Sequence, residues 1–275
     1  MMSAAHALGE QTRRKMALGR HMLSKPYRFV RRLLDYRVID ESEIHAIWEQ
    51  RHLRRLLRHY DVDCVFDVGA NYGQYAQMLR RAGRYKGWIV SFEPIPAAAA
   101  ALRAQASSDP KWIIEEVAVG SRDGVETFNI MKASQFSSLS VPRHDDVQMF
   151  QELNSVVDSV SVKTETLDTA FVRLRQRLHF RRPFLKLDTQ GYDTTIVSHA
   201  GAALKEFVGL QSELAIKKLY ADSQDFRDAL TMYEGRGFTL SALVPNNQGH
   251  FPRLIEIDCM MVRTDLLTTA GDDRR

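Results

Sequence analysis

Acidic side chains end several apolar runs of this 275-residue chain, and one of them is followed by a turn rich in small residues. In residues 65–76 an apolar run carries Asp67, and Gly69, Asn71 and Gly73 follow before a helix-compatible segment. A strand, turn and helix of this kind leave backbone N–H groups facing a ligand, and glycines let that ligand approach closely. A phosphate would be bound by those N–H donors without a carboxylate beside them. The neighbouring carboxylate instead favours a ligand with a cationic end, such as the amino acid part of S-adenosylmethionine.

A second acid follows the next apolar run. Glu93 and Pro94 directly follow the apolar run 88–92, and Glu93 comes 24 residues after Gly69. An acid at that distance commonly receives a ribose diol, because two hydroxyl donors suit one carboxylate. The two turns together predict a nucleoside-containing cofactor.

Two further strand-like runs also carry an acid at or near the end. Residues 184–187 run into Asp188, and Glu213 lies in the apolar segment 208–214. In open α/β sheets, ligands bind outside the carboxyl ends of the strands. We therefore expect Asp188 and Glu213 to share one edge with the two earlier acids.

Transfer of the cofactor's methyl group would require a group that takes the proton of the accepting atom as the new bond forms. Asp188 is the first candidate for this general base, because it ends a strand in the expected crevice. His250, in the loop before the last strand, is the second candidate, and His144 is the third. Glu213 would contact the substrate or, together with Asp188, hold Mg²⁺. Nothing in the spacing requires a metal.

Strand-like and helix-like patterns alternate from residue 61 onward, which predicts a mostly parallel sheet with crossover helices on both faces. Seven strands are predicted near 64–68, 88–92, 112–118, 183–187, 208–213, 238–244 and 256–262, with an extra strand near 125–131. Helices are predicted near 73–82, 96–106, 192–203 and 222–236. The last two strands have no room for a helix between them, so they are expected to be antiparallel. A parallel sheet ending in such a hairpin is the Rossmann-like architecture of class I methyltransferases.

Composition predicts a globular protein, with 44% hydrophobic and 26% charged residues. Residues 1–60 hold 13 Lys or Arg and 6 Asp or Glu, so their net charge is +7. The whole chain carries +4, which leaves −3 for residues 61–275. We expect residues 1–60 to form a basic helical N-terminal extension before a methyltransferase domain over 61–275. Segment 13–34 is a candidate for peripheral contact with an anionic membrane. Two cysteines without ligand spacing and the lack of a signal peptide predict a cytoplasmic protein.

Five segments, taken in order, resemble the FkbM family of S-adenosylmethionine-dependent methyltransferases. They are VFDVGANYGQYA at 65–76, FEP at 92–94, VAVGSRDG at 117–124, VKTETLD at 162–168 and FLKLDTQGYD at 184–193. The resemblance covers residues 61–263 and implies O-methylation of a sugar, glycolipid or polyketide-type hydroxyl. It implies that Asp67, Gly69, Asn71 and Gly73 hold the methionine end of the cofactor, with Glu93 at the ribose, and that Ala118 and Val119 lie by the adenine.

The acceptor is expected to be bound by residues outside these cofactor motifs. Ser137 and Ser138 lie in the polar segment 134–146, which is predicted to be a loop or lid, and they could bind acceptor hydroxyls. Tyr220 could stack on a sugar ring. Gln190 stands where the family often has Glu, so no role that needs a carboxylate is carried over to it.

Two other functions stay open at this point. The basic segment leaves ribose or nucleic-acid methylation as an alternative, although the Asn/Asp-Pro-Pro-aromatic motif of base amino-methylation is missing from the sequence. A non-catalytic, cofactor-binding partner subunit is the other alternative. The sequence leaves open whether the protein forms a homo-oligomer.

Overall fold

The structure, a computed structural model, describes residues 44–144, 150–245 and 252–269. The compact unit His45–Arg275 contains two sheets. The strands are β1 Cys64–Val68, β2 Trp88–Phe92, β3 Trp112–Glu115, β4 Ala118–Gly120, β5 Gly124–Met131, β6 Val156–Thr166, β7 Pro183–Leu187, β8 Gly209–Ala215, β9 Phe238–Pro245 and β10 Glu256–Arg263. The helices are α1 Ile44–His59, α2 Gln74–Arg81, α3 Pro96–Ala106, α4 Leu167–Leu178, α5 Asp193–His199, α6 Phe226–Gly235 and α7 Thr264–Thr269. Two 3₁₀ helices cover Ser134–Phe136 and Ala202–Glu206.

Seven strands form the main sheet in the order β3-β2-β1-β7-β8-β10-β9. The pairs β3–β2, β2–β1, β1–β7 and β7–β8 are parallel, whereas β10 is antiparallel to both β8 and β9. The last strand of the chain is therefore inserted in the reverse direction between two strands that precede it. This arrangement confirms the predicted mostly parallel sheet with an antiparallel hairpin at its end.

Helices cover both faces of this sheet, as predicted. On one face, Leu53 of α1, Leu79 of α2 and Leu102 of α3 pack with strand residues such as Val65. The other face carries a separate core, which is built from α4, α5 and α6 against the alternate strand residues. Its members include Phe66, Val90, Leu185, Phe171, Ile196 and Tyr233. The alternation follows from the period of two in a strand, which sends Val65 and Phe66 to opposite faces.

The segment 112–178 differs most from the prediction. The expected strand 112–118 ends at Glu115, and Ala118–Gly120 instead pairs with β6 in a second sheet of order β4-β6-β5. Strand β5 confirms the extra strand near 125–131, but β6 and α4 were not predicted. Helix α4 had a readable signal, because its buried residues recur at helical spacing. They are Leu167, Ala170, Phe171 and Leu174.

Most of the predicted basic extension lies outside the described residues. This applies to segment 13–34 and to its predicted membrane contact, which stay predictions. Within the described residues, α1 belongs to the compact unit and buries Leu53, Leu56 and Leu57. No helix in the described ranges is both long enough and apolar enough to cross a membrane.

Replacing Leu53 tests whether α1 is part of the folded core. Leu53 is 1% exposed, so Leu53→Ala should lower the free energy of unfolding by about 2–5 kcal/mol through lost burial and a cavity. Leu267→Ala is the matched control, because Leu267 is 40% exposed and should cost less than about 1 kcal/mol. Urea unfolding followed by circular dichroism measures both. Equal midpoints for the two variants would mean that α1 does not contribute to the core.

Candidate active site

A cavity of about 700 Å³ opens where the parallel strands of the main sheet end. The ends of β1, β2 and β4 line one half, and β7, β8 and the beginning of β10 line the other. Ten of the predicted site residues line it. They are Gly69, Asn71, Glu93, Pro94, Ala118, Val119, Ser137, Asp188, Gln190 and Glu213. The predicted edge therefore exists, and residues more than 140 positions apart in the chain meet there.

The turn after β1 brings the backbone close to the next strand of the sheet. Gly69 adopts φ +77°, and a Cβ atom there would lie 1.9 Å from the carbonyl oxygen of Asp188. The amide N–H groups of Gly69 and Ala70 both donate to the carbonyl oxygen of Phe92, at 3.2 and 3.0 Å. Only glycine combines that φ with this close approach. The turn is consequently held between the ends of β2 and β7.

A buried lysine lies beneath the turn. Lys186 pairs directly with Asp67 in the parallel register, and its Nζ lies 3.3 Å from Asp67 Oδ1 and 3.3 Å from Asp188 Oδ2. Its ammonium also lies 5.2 Å from the centre of the Tyr75 ring. Burial acts to lower the pKa of Lys186, but the Asp188 and Asp67 carboxylates outweigh it and raise that pKa. Lys186 therefore remains a cation in the wall of the cavity.

Glu93 is a buried carboxylate at the opposite wall. Its Oε2 accepts from the backbone N–H of Asn71 at 2.8 Å, and its Oε1 accepts from the N–H of Ile95 at 3.0 Å. Each oxygen keeps a lone pair, which is the acceptor pattern that a vicinal diol requires. Burial raises the pKa of Glu93 to about 7, against the lowering effect of the two N–H donors. Asp67 raises this pKa further and Lys186 lowers it.

The side chain of Gln190 connects the acids at the ends of β7 and β8. Gln190 adopts φ +54°, and its Nε2 donates to Asp188 Oδ1 at 2.9 Å and to Glu213 Oε2 at 3.1 Å. The Tyr220 hydroxyl lies 3.0 Å from Gln190 Oε1. An amide can join two carboxylates in this way because it donates through both of its hydrogens. A carboxylate at position 190 would instead repel both acids.

Asp193 fixes the turn that carries Asp188 and Gln190. Its Oδ1 accepts from the backbone N–H of Thr189 at 2.8 Å, and its Oδ2 accepts from Ser212 Oγ at 2.9 Å and from the N–H of Glu213 at 3.1 Å. The side chain is 3% exposed. The turn after β7 is therefore tied to β8 by a carboxylate that lies behind the cavity and does not line it.

Four predicted site residues lie outside the cavity wall. Asp67 is fully buried and reaches the cavity only through Lys186. Gly73 starts α2 at φ +82° and packs towards Leu102 and Trp112 rather than towards a ligand.

The two predicted acceptor residues among these four have internal partners. Ser138 Oγ donates to the carbonyl oxygens of Thr189 and Gln190, and the Tyr220 hydroxyl lies 2.8 Å from the Phe136 carbonyl oxygen. Both residues are 1% exposed and neither lines the cavity, so their contact with an acceptor stays a prediction.

Of the two histidine candidates for the general base, the structure describes only His144. His144 Nε2 lies 2.9 Å from the carbonyl oxygen of Asn154, away from the cavity lining. His250 lies outside the described residues and stays a prediction. Among the candidates for the base that the structure describes, Asp188 alone lines the cavity.

Sequence reasoning missed four charged residues that line the cavity. Lys186 stands in an otherwise apolar buried strand, which is itself a signal. Glu256 and Asp258 alternate at the beginning of β10, so the period of two sends both to one face. Glu49, on α1, accepts from Gln211 Nε2 at 2.9 Å and gives no local signal.

The described residues offer no ready set of ligands for a divalent metal. Among the described residues, no group of three or more His, Cys, Asp or Glu side chains is arranged to hold one. The Gln190 amide nitrogen lies between Asp188 and Glu213, the two residues that the sequence suggests as Mg²⁺ ligands. This nitrogen is a donor, so it cannot act as a ligand for a cation.

The fold and the site together define a class I methyltransferase. Three features are typical of this class: the strand order with a reversed strand before the edge, the glycine turn after β1, and the acid after β2 that faces the cavity. The family described as the Methyltransferase FkbM domain matches residues 67–240, which is more than half of the chain. The chain belongs to this family, and it is an S-adenosylmethionine-dependent methyltransferase.

Solved methyltransferase structures are similar to the chain at low sequence identity. The magnesium protoporphyrin IX methyltransferase of Synechocystis, with bound S-adenosylmethionine, is 9% identical, with a TM-score of 0.44 over 90% of this chain and 96% of that one. The O-methyltransferase from Bacillus cereus is 10% identical, with a TM-score of 0.43 over the same shares. The N-methyltransferase NodS from Bradyrhizobium japonicum is 10% identical, with a TM-score of 0.42 over 80% and 98%. No curated protein matches the chain.

Replacing Gly69 tests the turn after β1. Gly69→Ala would place a Cβ 1.9 Å from the Asp188 carbonyl oxygen at a φ that disfavours alanine. We expect the free energy of unfolding to fall by roughly 1–3 kcal/mol and affinity for S-adenosylhomocysteine to fall about ten-fold or more. Gly235→Ala is the control, because a Cβ there meets nothing within 4 Å. Calorimetric titration and thermal unfolding measure both effects, and identical behaviour of the two variants would contradict the arrangement.

The raised pKa of Glu93 predicts that cofactor binding depends on pH. Below about pH 7 the free protein holds a proton on Glu93, and a ribose diol that donates to the carboxylate has to displace it. Affinity for S-adenosylhomocysteine should therefore fall about ten-fold between roughly pH 8 and pH 6. Glu93→Gln should bind more weakly at pH 8 and lose most of this dependence, whereas Glu116→Gln, at an exposed position outside the cavity, should keep it. An unchanged pH slope in Glu93→Gln would assign the dependence to another group.

Proposed function

We propose that this methyltransferase transfers a methyl group from S-adenosylmethionine to a hydroxyl of a small molecule of the sugar, glycolipid or polyketide type. The observation that carries this proposal is the division of the cavity into two halves. One half presents Glu93 beside the glycine turn, and the other presents Asp188 and Glu213 with the Gln190 amide between them. A nucleoside cofactor and a polar acceptor could then meet end to end in one cavity.

The cofactor half suits S-adenosylmethionine in shape and chemistry. Glu93 would accept both hydroxyls of the ribose, since each of its oxygens keeps a free lone pair. Pro94, Ala118 and Val119 would lie along the adenine, where small and apolar side chains leave room for a flat ring. The methionine end would lie at the turn that contains Gly69 and Asn71.

Asp67 would act on the cofactor indirectly. It is fully buried behind Lys186, so it would set the position and charge of the lysine and would not bind the amino group itself. This differs from the direct contact that the family resemblance implied. Gly69, Ala70 and Asn71 remain the turn residues that can reach a ligand at this end.

The acceptor half would supply the base and the orientation. When bound, S-adenosylmethionine supplies a methyl group on a cationic sulfur, and the electron pair of the broken C–S bond stays on that sulfur. Asp188 would take the proton of the acceptor hydroxyl as the new C–O bond forms. Its side chain is 43% exposed, and Gln190 Nε2 and Lys186 Nζ hold its two oxygens in place. Glu213, Gln190 and Ser137 would hydrogen-bond the acceptor, and positioning of this kind contributes much of the rate enhancement in well-oriented reactions.

A nucleic-acid acceptor fits this cavity less well. Phosphate groups favour Lys and Arg contacts. Among the described residues that line the cavity, Lys186 is the single Lys or Arg, whereas six lining residues are Asp or Glu. Lys186 is already paired with two carboxylates. A neutral or cationic small molecule is therefore the better acceptor.

A methyl-transfer assay with Asp188→Asn tests the proposal. The purified protein is incubated with S-adenosylmethionine and a panel of glycosides and polyketide alcohols, and the position of the new methyl group is read by NMR. We expect O-methylation, with kcat reduced about a hundred-fold or more in Asp188→Asn and S-adenosylhomocysteine affinity changed less than about three-fold.

Three results would count against the proposal. Methylation on nitrogen or carbon would overturn the hydroxyl acceptor. An equal loss of binding and turnover in Asp188→Asn would remove its role as base. Cofactor binding without turnover of any acceptor in the panel would favour a non-catalytic partner subunit. Asp222→Asn is the matched control, because Asp222 accepts from Ser140 Oγ and does not line the cavity.

A further inference from the structure

Carboxylates crowd the acceptor half of the cavity. Asp188 ends β7, Glu213 lies near the end of β8, and Glu256 and Asp258 begin β10, with Glu49 of α1 beside them. The antiparallel register places Asp258 directly opposite Glu213. Directly opposed residues of an antiparallel pair share one face of the sheet, so these two acids project to the same side.

Like charges in such an arrangement destabilise the folded protein unless something compensates for them. Burial, and then repulsion from Asp188 and Asp193, raise the pKa of Glu256 to about 8. Burial and neighbouring acids also raise the pKa values of Glu213 and Asp258 well above their usual range. The cluster consequently retains protons in the absence of a cation, and a cation that entered would displace them.

One lysine lies near these carboxylates. Lys186 is the only cation that lines the cavity in the described part of the chain, and its ammonium is shared between Asp67 and Asp188. Its ion pairs therefore do not include Glu256 or Asp258.

Glu256 provides the second and independent observation. Its side chain is 7% exposed and lines the cavity. No hydrogen bond or ion pair joins its carboxylate to any other residue that the structure describes. A buried carboxylate without a partner is costly, and native proteins satisfy most such groups.

We propose that the acceptor carries a protonated amine near the hydroxyl that is methylated, and that Glu213, Glu256 and Asp258 bind this ammonium. An ammonium has three N–H donors and one positive charge, so it can satisfy several carboxylates at once. A neutral polyol could hydrogen-bond to these carboxyl groups, but it carries no charge with which to displace their protons. The inference rests on the proposed function only in placing the acceptor in this half of the cavity.

The acceptor class can be tested by binding alone. Glucosamine, glucose and N-acetylglucosamine are titrated calorimetrically into protein that is saturated with S-adenosylhomocysteine, near pH 6.8, where most glucosamine is protonated. We expect glucosamine to bind about ten-fold or more tightly than the two neutral sugars. Proton release to the buffer, measured in two buffers of different ionisation enthalpy, should accompany glucosamine binding only.

Glu256→Gln keeps the shape of the side chain and removes its charge. We expect it to bind glucosamine about ten-fold more weakly, to leave the neutral sugars unchanged, and to retain both S-adenosylmethionine and S-adenosylhomocysteine binding. Glu234→Gln, on an exposed position of α6, should behave as the unmodified protein does. A rise in melting temperature of Glu256→Gln near pH 9 would show that the variant folds, since the substitution removes a repelled charge.

Several outcomes would overturn this inference. Equal affinity for glucosamine and glucose would do so, as would failure of glucosamine to bind at millimolar concentration. Loss of S-adenosylmethionine binding but not of S-adenosylhomocysteine binding in Glu256→Gln would assign the cluster to the cationic sulfur of the cofactor. None of these measurements needs turnover, so the inference can fail while the proposed O-methylation holds, and the reverse is also true.

Discussion

A lysine buried between two carboxylates is the interaction on which the candidate active site depends. Lys186 bridges Asp67 at the end of β1 and Asp188 after β7. On the other side of Asp67, Ser91 Oγ donates to it at 3.0 Å, and Trp112 Nε1 donates to Ser91 Oγ at 2.9 Å. This polar row crosses four neighbouring strands. Buried charges are costly unless they are paired and hydrogen-bonded. The four strands are therefore held in one relative position, and Asp188 is held with them.

The same row couples the two halves of the cavity. The cofactor half begins at Gly69, which lies against the carbonyl oxygen of Asp188, the first residue of the acceptor half. A side chain at position 69 or a shift of β7 would disturb both halves together. Glu93 is tied to the same turn through the N–H of Asn71. Cofactor and acceptor groups are thus positioned by one set of short backbone contacts, which suits a displacement that requires alignment of the reacting atoms.

The acceptor half keeps charges that the fold alone would disfavour. Asp258 opposes Glu213 in the antiparallel pair of β10 and β8, and Glu256 is buried without a partner among the described residues. Strain and uncompensated charge concentrate at functional sites, where the surrounding structure supports them. Here that support includes Asp193, which accepts backbone and side-chain hydrogen bonds from the turn after β7 and from β8. The electrostatic cost lies where a ligand can relieve it.

The class of fold and the edge of the sheet that carries the site can be predicted from the sequence, because both follow from local patterns. Apolar runs that are followed by acids such as Glu93 and Asp188 mark strand ends, and a hairpin too short for a helix requires a reversed last strand. Which acids face the cavity follows only from the folded arrangement. Asp67 was expected to touch the cofactor but lies behind Lys186, and Glu256 was overlooked. The physical reason is that β10 inserts between β8 and β9, and side-chain exposure depends on such long-range neighbours, which no local pattern reveals.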